Sequence, residues 1–310
     1  MDTFFQSILS VLVILLLTAT GYFCGVRQWI NEESKRFISR FLMNLAIPCM
    51  CIHGLTTNLA RSELRNSLRT LLVPFLCFAT NYLLAYVLGR LLQLPRKRLG
   101  VFMTMCSMSN SMFVGYAMCT ELFGEACVSS VMLYYMVSTC YTQMVGISLV
   151  RWSGGMERMS LRVMLKFLRS PAVLSIFTSI FLIISGIRLP SVLVSYNRYM
   201  NGLVSPLALV MMGYTIYRIG LRNIRIDLPI GAVCLFRFCV APLLFFTVCG
   251  VFGIADLTRK VFVVEAAMPV LILSVVSASE YGADEEFAAQ GAAITTIACF
   301  VVIPVLMLIL

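Results

Sequence analysis

Ser107, Ser109, Asn110 and Ser111 fall within five consecutive positions of the stretch CSMSNSMFVG (106–115), which Gly115 closes. Hydroxyl and amide side chains at that density compete with the backbone for its own hydrogen bonds and weaken a helix. A second weak point lies in AAMPV (266–270), where Pro269 stands between Met268 and Val270. Proline removes a backbone donor there and disturbs the carbonyl four residues earlier. A helix broken at such a place presents free N–H groups and the positive end of its dipole, which is chemistry for holding an anion. Titratable candidates are few. Glu265, four residues before Pro269, could carry a proton, and Arg237 is its candidate partner or, alternatively, a counter-ion for substrate. Asn44, Tyr141 and Gln143 are further polar positions that could line a site. His53, the single histidine, reads more readily as a hydrogen-bonded structural residue than as a proton relay.

Other chemistries find little to work with. Catalysis inside a bilayer needs a nucleophile–base pair or a metal cluster, and the carboxylates Glu32, Glu33, Asp284, Glu285 and Glu286 sit in joints. Twelve cysteines show no metal-ligand spacing and are expected to behave as small buried hydrophobes, so neither a metal nor a cofactor is expected. The phosphate-binding pattern G-x-x-x-x-G-K-[ST] is missing, which argues against direct ATP drive from this chain. A receptor would want a long soluble segment, and no joint is long enough.

The elements that position these residues must be membrane helices. Of 310 residues, 60% are hydrophobic and only 12% charged, more apolar surface than a soluble domain can hide. Apolar runs near the ~20-residue span length predict ten helices, at about 4–24, 37–56, 68–92, 99–121, 126–150, 171–187, 190–217, 228–252, 258–280 and 287–310. The N-terminal run has no positive leader and is too long for a signal peptide, so it reads as the first span.

The net charge of +10 comes from basic residues in the joints, where they act as topology signals and not as a nucleic-acid surface. Joints after the first, third, fifth and seventh spans hold sixteen of the 24 Lys and Arg residues, the opposite side seven, and Arg237 lies within a span. The richer side is the cytoplasm, which places both termini outside a plasma membrane of the bacterial inner-membrane kind and makes the basic stretch 151–169 a cytoplasmic link.

That link separates residues 1–150 from 170–310, five spans from five. Landmarks recur across it: Gly21 and Gly186, Pro48 and Pro206, and the pairs Arg69–Pro74 and Arg237–Pro242, at offsets of 158 to 168 residues. Units with an odd number of spans must enter the membrane in opposite orientations, an architecture of secondary transporters with the site at the midplane. Asn110 lies eleven residues into its span, roughly 16 Å deep at 1.5 Å per residue, near the middle of a core of about 30 Å. Pro269 lies at the matching depth. Broken backbone is tolerated there only when buried in protein or lining a cavity. The polar run therefore reads as an interruption that builds a binding site, against the plainer reading of interhelical hydrogen bonding.

The stretches TATGYFCGVRQWINEESKRFISRFLMNLAIPCMCIHGL, CSMSNSMFVG, SPLALVMMG and AAMPVLILSVVSASEYGAD, in this order, resemble the auxin efflux carrier family, which contains plant auxin exporters and bacterial malonate-type carriers. The likeness covers essentially the whole chain. It implies an all-α integral membrane protein with ten transmembrane helices in two inverted five-helix repeats, the fourth and ninth crossing as broken helices. It also implies transport of organic anions by an elevator-like movement, and dimers formed through the non-moving part. Asn110 matches the substrate-contacting asparagine of the first crossover and Pro269 the proline of the second. Ser109 and Ala117 stand where members often have proline, and Val270 where a polar or small residue is frequent. The expected function is secondary transport of a small organic anion, a carboxylate, with H+ or Na+ open as coupling ion. A neutral or amino-acid substrate on the same fold is the alternative.

Overall fold

The computed structural model describes residues 2–58, 64–156, 170–220 and 226–310. The expected basic link lies outside the described residues from 157 to 169, as do Arg61, Arg222 and Arg225. Helices fill the described chain: α1 (Asp2–Val26), α2 (Glu32–Phe41), α3 (Ile47–Asn58), α4 (Leu64–Leu91), α5 (Arg96–Ser107), α6 (Tyr116–Phe123), α7 (Val128–Tyr141), α8 (Ile147–Ser153), α9 (Pro171–Ser185), α10 (Ser191–Ile219), α11 (Leu228–Leu235), α12 (Ala241–Val251), α13 (Asp256–Ala266), α14 (Leu273–Tyr281) and α15 (Glu285–Ile309). Five uninterrupted stretches, Glu32–Thr57, Arg69–Leu91, Ser191–Arg218, Leu228–Val251 and Glu285–Ile309, are long and apolar enough to cross a membrane. Shorter apolar helices accompany them.

Several helices begin earlier than composition suggests, α2 and α5 among them. The second apolar run was expected from 37, yet α2 starts at Glu32 because the Asn31 side chain accepts from the Ser34 N–H at 2.8 Å and Glu32 and Glu33 complement the dipole. Lys35, Arg36 and Arg40, expected in a joint, thus lie on a helix. Arg96, Lys97 and Arg98 likewise open α5 behind Pro95.

Wide π turns join α2 to α3 (Leu42–Ala46) and α11 to α12 (Phe236–Val240). Each ends two residues before a proline, Pro48 or Pro242. The ring excludes the ordinary bond to the carbonyl four residues back, and one longer turn takes up the misfit without ending the helix. Two more π turns occur at Ser111–Gly115 and Thr142–Gly146.

The helices pack in two groups. In one, α1 lies along α10, and α3 packs on α9 and α10. Gly21 and Gly213 make the first contact possible: a Cβ on Gly21 would overlap the Val210 carbonyl, and one on Gly213 the Thr18 carbonyl. Lipid offers no hydrophobic drive between helices, so close backbone approach of this kind supplies the attraction. The second group gathers α4, α5–α6, α7–α8, α11–α12, α13–α14 and α15. Its centre is aromatic, with Phe78, Tyr134, Phe245 and Phe262 joining α4, α7, α12 and α13 at centroid distances of 5.3 to 6.3 Å. At one end Arg98 reaches Asp284 (2.8 Å) and Asp227 (3.3 Å), the residues that cap α15 and α11. Large apolar side chains point outward, among them Leu83 (63% exposed), Leu243 (64%) and Val301 (68%), as lipid-facing surfaces require.

Candidate functional site

The polar run ends α5 at Ser107, and the proline stretch ends α13 at Ala266. Between these ends and the half-helices α6 and α14, two short extended segments cross. Ser109 and Val270 form an isolated antiparallel bridge. The Asn110 N–H donates to the Pro269 carbonyl (2.8 Å), and the Leu271 N–H to the Met108 carbonyl (3.4 Å). The Val270 N–H donates to Thr295 Oγ1 on α15 (3.1 Å). Each break thus supplies the backbone partners that the other lost, which is how broken helices persist away from water.

Arg237 completes the crossing. Its side chain is 0% exposed and reaches from the second π turn to the carbonyls at both helix ends. Nη1 donates to Cys106 (3.2 Å), Nε and Nη2 donate to Met268 (3.1 and 2.8 Å), and Nη2 also donates to Ala266. The C-terminal ends of α5 and α13 carry orphan carbonyls and partial negative charge, and one guanidinium answers both. Among the described residues Arg237 forms no ion pair with Glu265 within 4.0 Å.

Glu265 is 0% exposed. Its carboxyl lies against Gly115, so closely that a Cβ there would overlap Oε2. Cys119 Sγ donates to Oε1 at 3.8 Å, and Oε2 has no hydrogen-bond partner among the described residues. A carboxyl held in this way can act chemically by taking up or releasing a proton.

A cavity of about 280 Å³ opens on the crossing, between the two helix groups. The breaks contribute Ser109, Asn110, Ser111, Leu271 and Ile272; facing them are Lys35 and Ser39 of α2 and Met211 and Thr215 of α10. Tyr135, Ser138, Thr139, Thr142 and Gln143 of α7 and its π turn form a polar side wall. Ser109 Oγ is tied to Tyr134 Oη at 3.1 Å, and Asn110 Oδ1 is without a partner among the described residues.

Of the residues singled out from sequence, Ser109, Asn110, Ser111 and Gln143 line the cavity. Ser107, Gly115, Met268, Pro269 and Val270 are buried behind it. Asn44 instead faces outward and donates to the Arg40 carbonyl (2.8 Å), because the π turn around it rotates that face of the helix away. Tyr141 donates to the Phe75 carbonyl (3.0 Å) and stacks on Tyr82, outside the cavity lining. His53 lines a different cavity. Sequence reasoning missed Lys35, Ser39, Ser138, Thr139 and Thr142. Their signal was present: Lys35 and Ser39 are four apart on one helix face, as are Ser138 and Thr142.

Comparison with known proteins gives a consistent picture. A family model described as membrane transport protein matches residues 6–158 and 154–307. An uncharacterized transporter of Methanocaldococcus jannaschii is 26% identical over 292 residues, covering 92% of this chain and 93% of that protein. One from Methanothermobacter thermautotrophicus is 27% identical over 303 residues, 96% of each. An uncharacterized transporter of Escherichia coli K12 is 23% identical over 201 residues, 62% of each.

Proposed function

This chain belongs to the membrane transport protein family of auxin efflux carrier type, and from that premise we propose that it is a secondary transporter of a small organic anion, a carboxylate, bound where the two broken helices cross. The chain is a multi-pass membrane transporter, and the relatives' transporter names support a non-enzymatic reading. One observation carries the substrate class: the crossing shares its cavity with Lys35, which forms no ion pair among the described residues. The neighbouring Glu32 is engaged by Arg218 at 2.9 Å and by the Tyr214 hydroxyl at 3.2 Å. The lysine, the side-chain donors and the N-terminal ends of the π turn and α14 together favour a negative group. A volume of about 280 Å³ lies at the lower end of small-molecule pockets, roughly 300 Å³ and upward, which suits a small acid.

The arrangement into ten spans as two inverted units, with both termini outside and the 151–169 link in the cytoplasm, belongs to the same proposal. Two family-model matches meeting at 154–158 support the division. So does the cavity's place between two separately packed helix groups, since sliding one past the other would carry the crossing from one membrane face to the other. A proton is the coupling ion this reading favours over Na+, carried by Glu265. Dimerisation would use the group containing α1, α3, α9 and α10.

The test is current from proteoliposomes on a solid-supported membrane, challenged with mono- and dicarboxylates. Asn110→Ala is expected to abolish the current while the protein elutes as a folded species. Lys35→Gln, which removes a charge-assisted contact, is expected to raise the half-saturating concentration by about tenfold or more. A current unchanged in Asn110→Ala would refute the crossover site, and a silent Lys35→Gln would favour the neutral or amino-acid substrate. Glu265→Gln is expected to flatten the pH profile of uptake. Superimposable profiles for the two proteins would leave Glu265 with a packing role alone.

A further inference from the structure

A second cavity, of about 420 Å³, lies apart from the crossing, where the ends of α3 and α9 meet the start of α10. His53, Thr57, Arg188 and Asn197 offer donors to it, Thr56 donates instead to the Ile52 carbonyl (2.6 Å), and no carboxylate lines it among the described residues. Arg188 forms no ion pair within 4.0 Å among the described residues. Asn197 is only 7% exposed, so its amide is held inside the protein and turned to this space. The start of α10 contributes Val194 and Asn197 to the wall. A guanidinium fork, an imidazole, a hydroxyl and a buried amide suit an anion rich in acceptor oxygens.

The surroundings narrow the source. Ile187 (56% exposed) lines the cavity, and Val192 (76%), Tyr196 (45%) and Tyr199 (74%) are exposed along the first half of α10. Exposed aliphatic residues beside tyrosines mark the boundary between acyl chains and head groups. We propose that this cavity is a phosphate-binding site, distinct from the transport site, that takes the headgroup of an anionic phospholipid while its chains lie along α9 and α10. The site fixes lipid against the helix group formed by α1, α3, α9 and α10. It does not depend on what the crossing transports.

Native mass spectrometry of the full-length protein, released from detergent with phosphatidylglycerol or with phosphatidylcholine, tests this directly. Retention of phosphatidylglycerol is expected to exceed that of phosphatidylcholine and to fall about tenfold in Arg188→Gln, as expected for a lost charged hydrogen-bonding partner. His53→Gln and Asn197→Leu should weaken it further. Inorganic phosphate in a thermal-unfolding assay is the second arm. Stabilisation by phosphate that Arg188→Gln removes, without selective lipid retention, would keep the phosphate chemistry and assign it to a soluble ligand. Equal lipid retention and equal phosphate response in wild type and Arg188→Gln would overturn the site. Arg188 is an exposed residue of the turn before α10, so its replacement leaves the fold available for the comparison.

Discussion

Arg237→Met is expected to abolish transport and to lower the thermal stability of the protein by more than any substitution within the cavity itself. Three carbonyls, those of Cys106, Ala266 and Met268, would lose their donor inside the membrane. A buried acceptor left unpaired costs about 1–3 kcal/mol, so the loss is roughly 3–6 kcal/mol after partial relaxation. Methionine removes the cost of burying a charge, which offsets part of this. It does nothing for the negative ends of α5 and α13. Arg237→Lys keeps the charge but not the planar fork, so it should recover stability in part and activity little. Detergent-solubilised unfolding, with uptake measured on the same preparations, reads both effects. A methionine variant that melts with the wild type would refute the clamp.

Gly115→Ala has the second largest expected effect. A single methyl there would overlap the carboxyl of Glu265, a group with no exposed surface and no room to withdraw. Overpacking of this kind costs about 1–3 kcal/mol. The strain would fall on the contact between the π turn of the first crossing helix and α13 of the second, so uptake is expected to drop at least tenfold. The double variant Gly115→Ala, Glu265→Ala separates this cause from others. Removing the carboxyl makes space for the methyl, so the second substitution should cost less in the alanine-115 background than alone. Strictly additive losses of stability would show that the methyl clashes elsewhere.

Much of this architecture is legible in the sequence, for local reasons. Apolar runs must be helical in lipid because no water is there to satisfy the backbone. The polar cluster at 107–111 and Pro269 weaken helices wherever they are placed, so the positions of the two breaks follow from side-chain chemistry and covalent geometry. The caps that Asn31, Asp227 and Asp284 provide for α2, α11 and α15 set helix starts that apolar runs alone do not show. Charge counting read Lys35 as a topology signal, because it cannot tell a lysine that anchors a joint from one that lines a cavity, and only the four-residue spacing from Ser39 marked a shared face. Asn44 misled because a π turn shifts the helix face, and such turns have no reliable pattern: a proline follows those at 42–46 and 236–240 but not those at 111–115 and 142–146.

Tertiary structure alone decided the partners. Arg237 serves carbonyls at Cys106, 131 positions away in the chain, and at Met268. The Asn110 amide is satisfied at Pro269, and Glu265 rests on Gly115. Residue types fix which groups a break will orphan, since each side chain and each proline acts on its own few neighbours. Which groups answer them depends on how the two halves of the chain meet, and that is set by packing across distances over which a sequence carries no local signal.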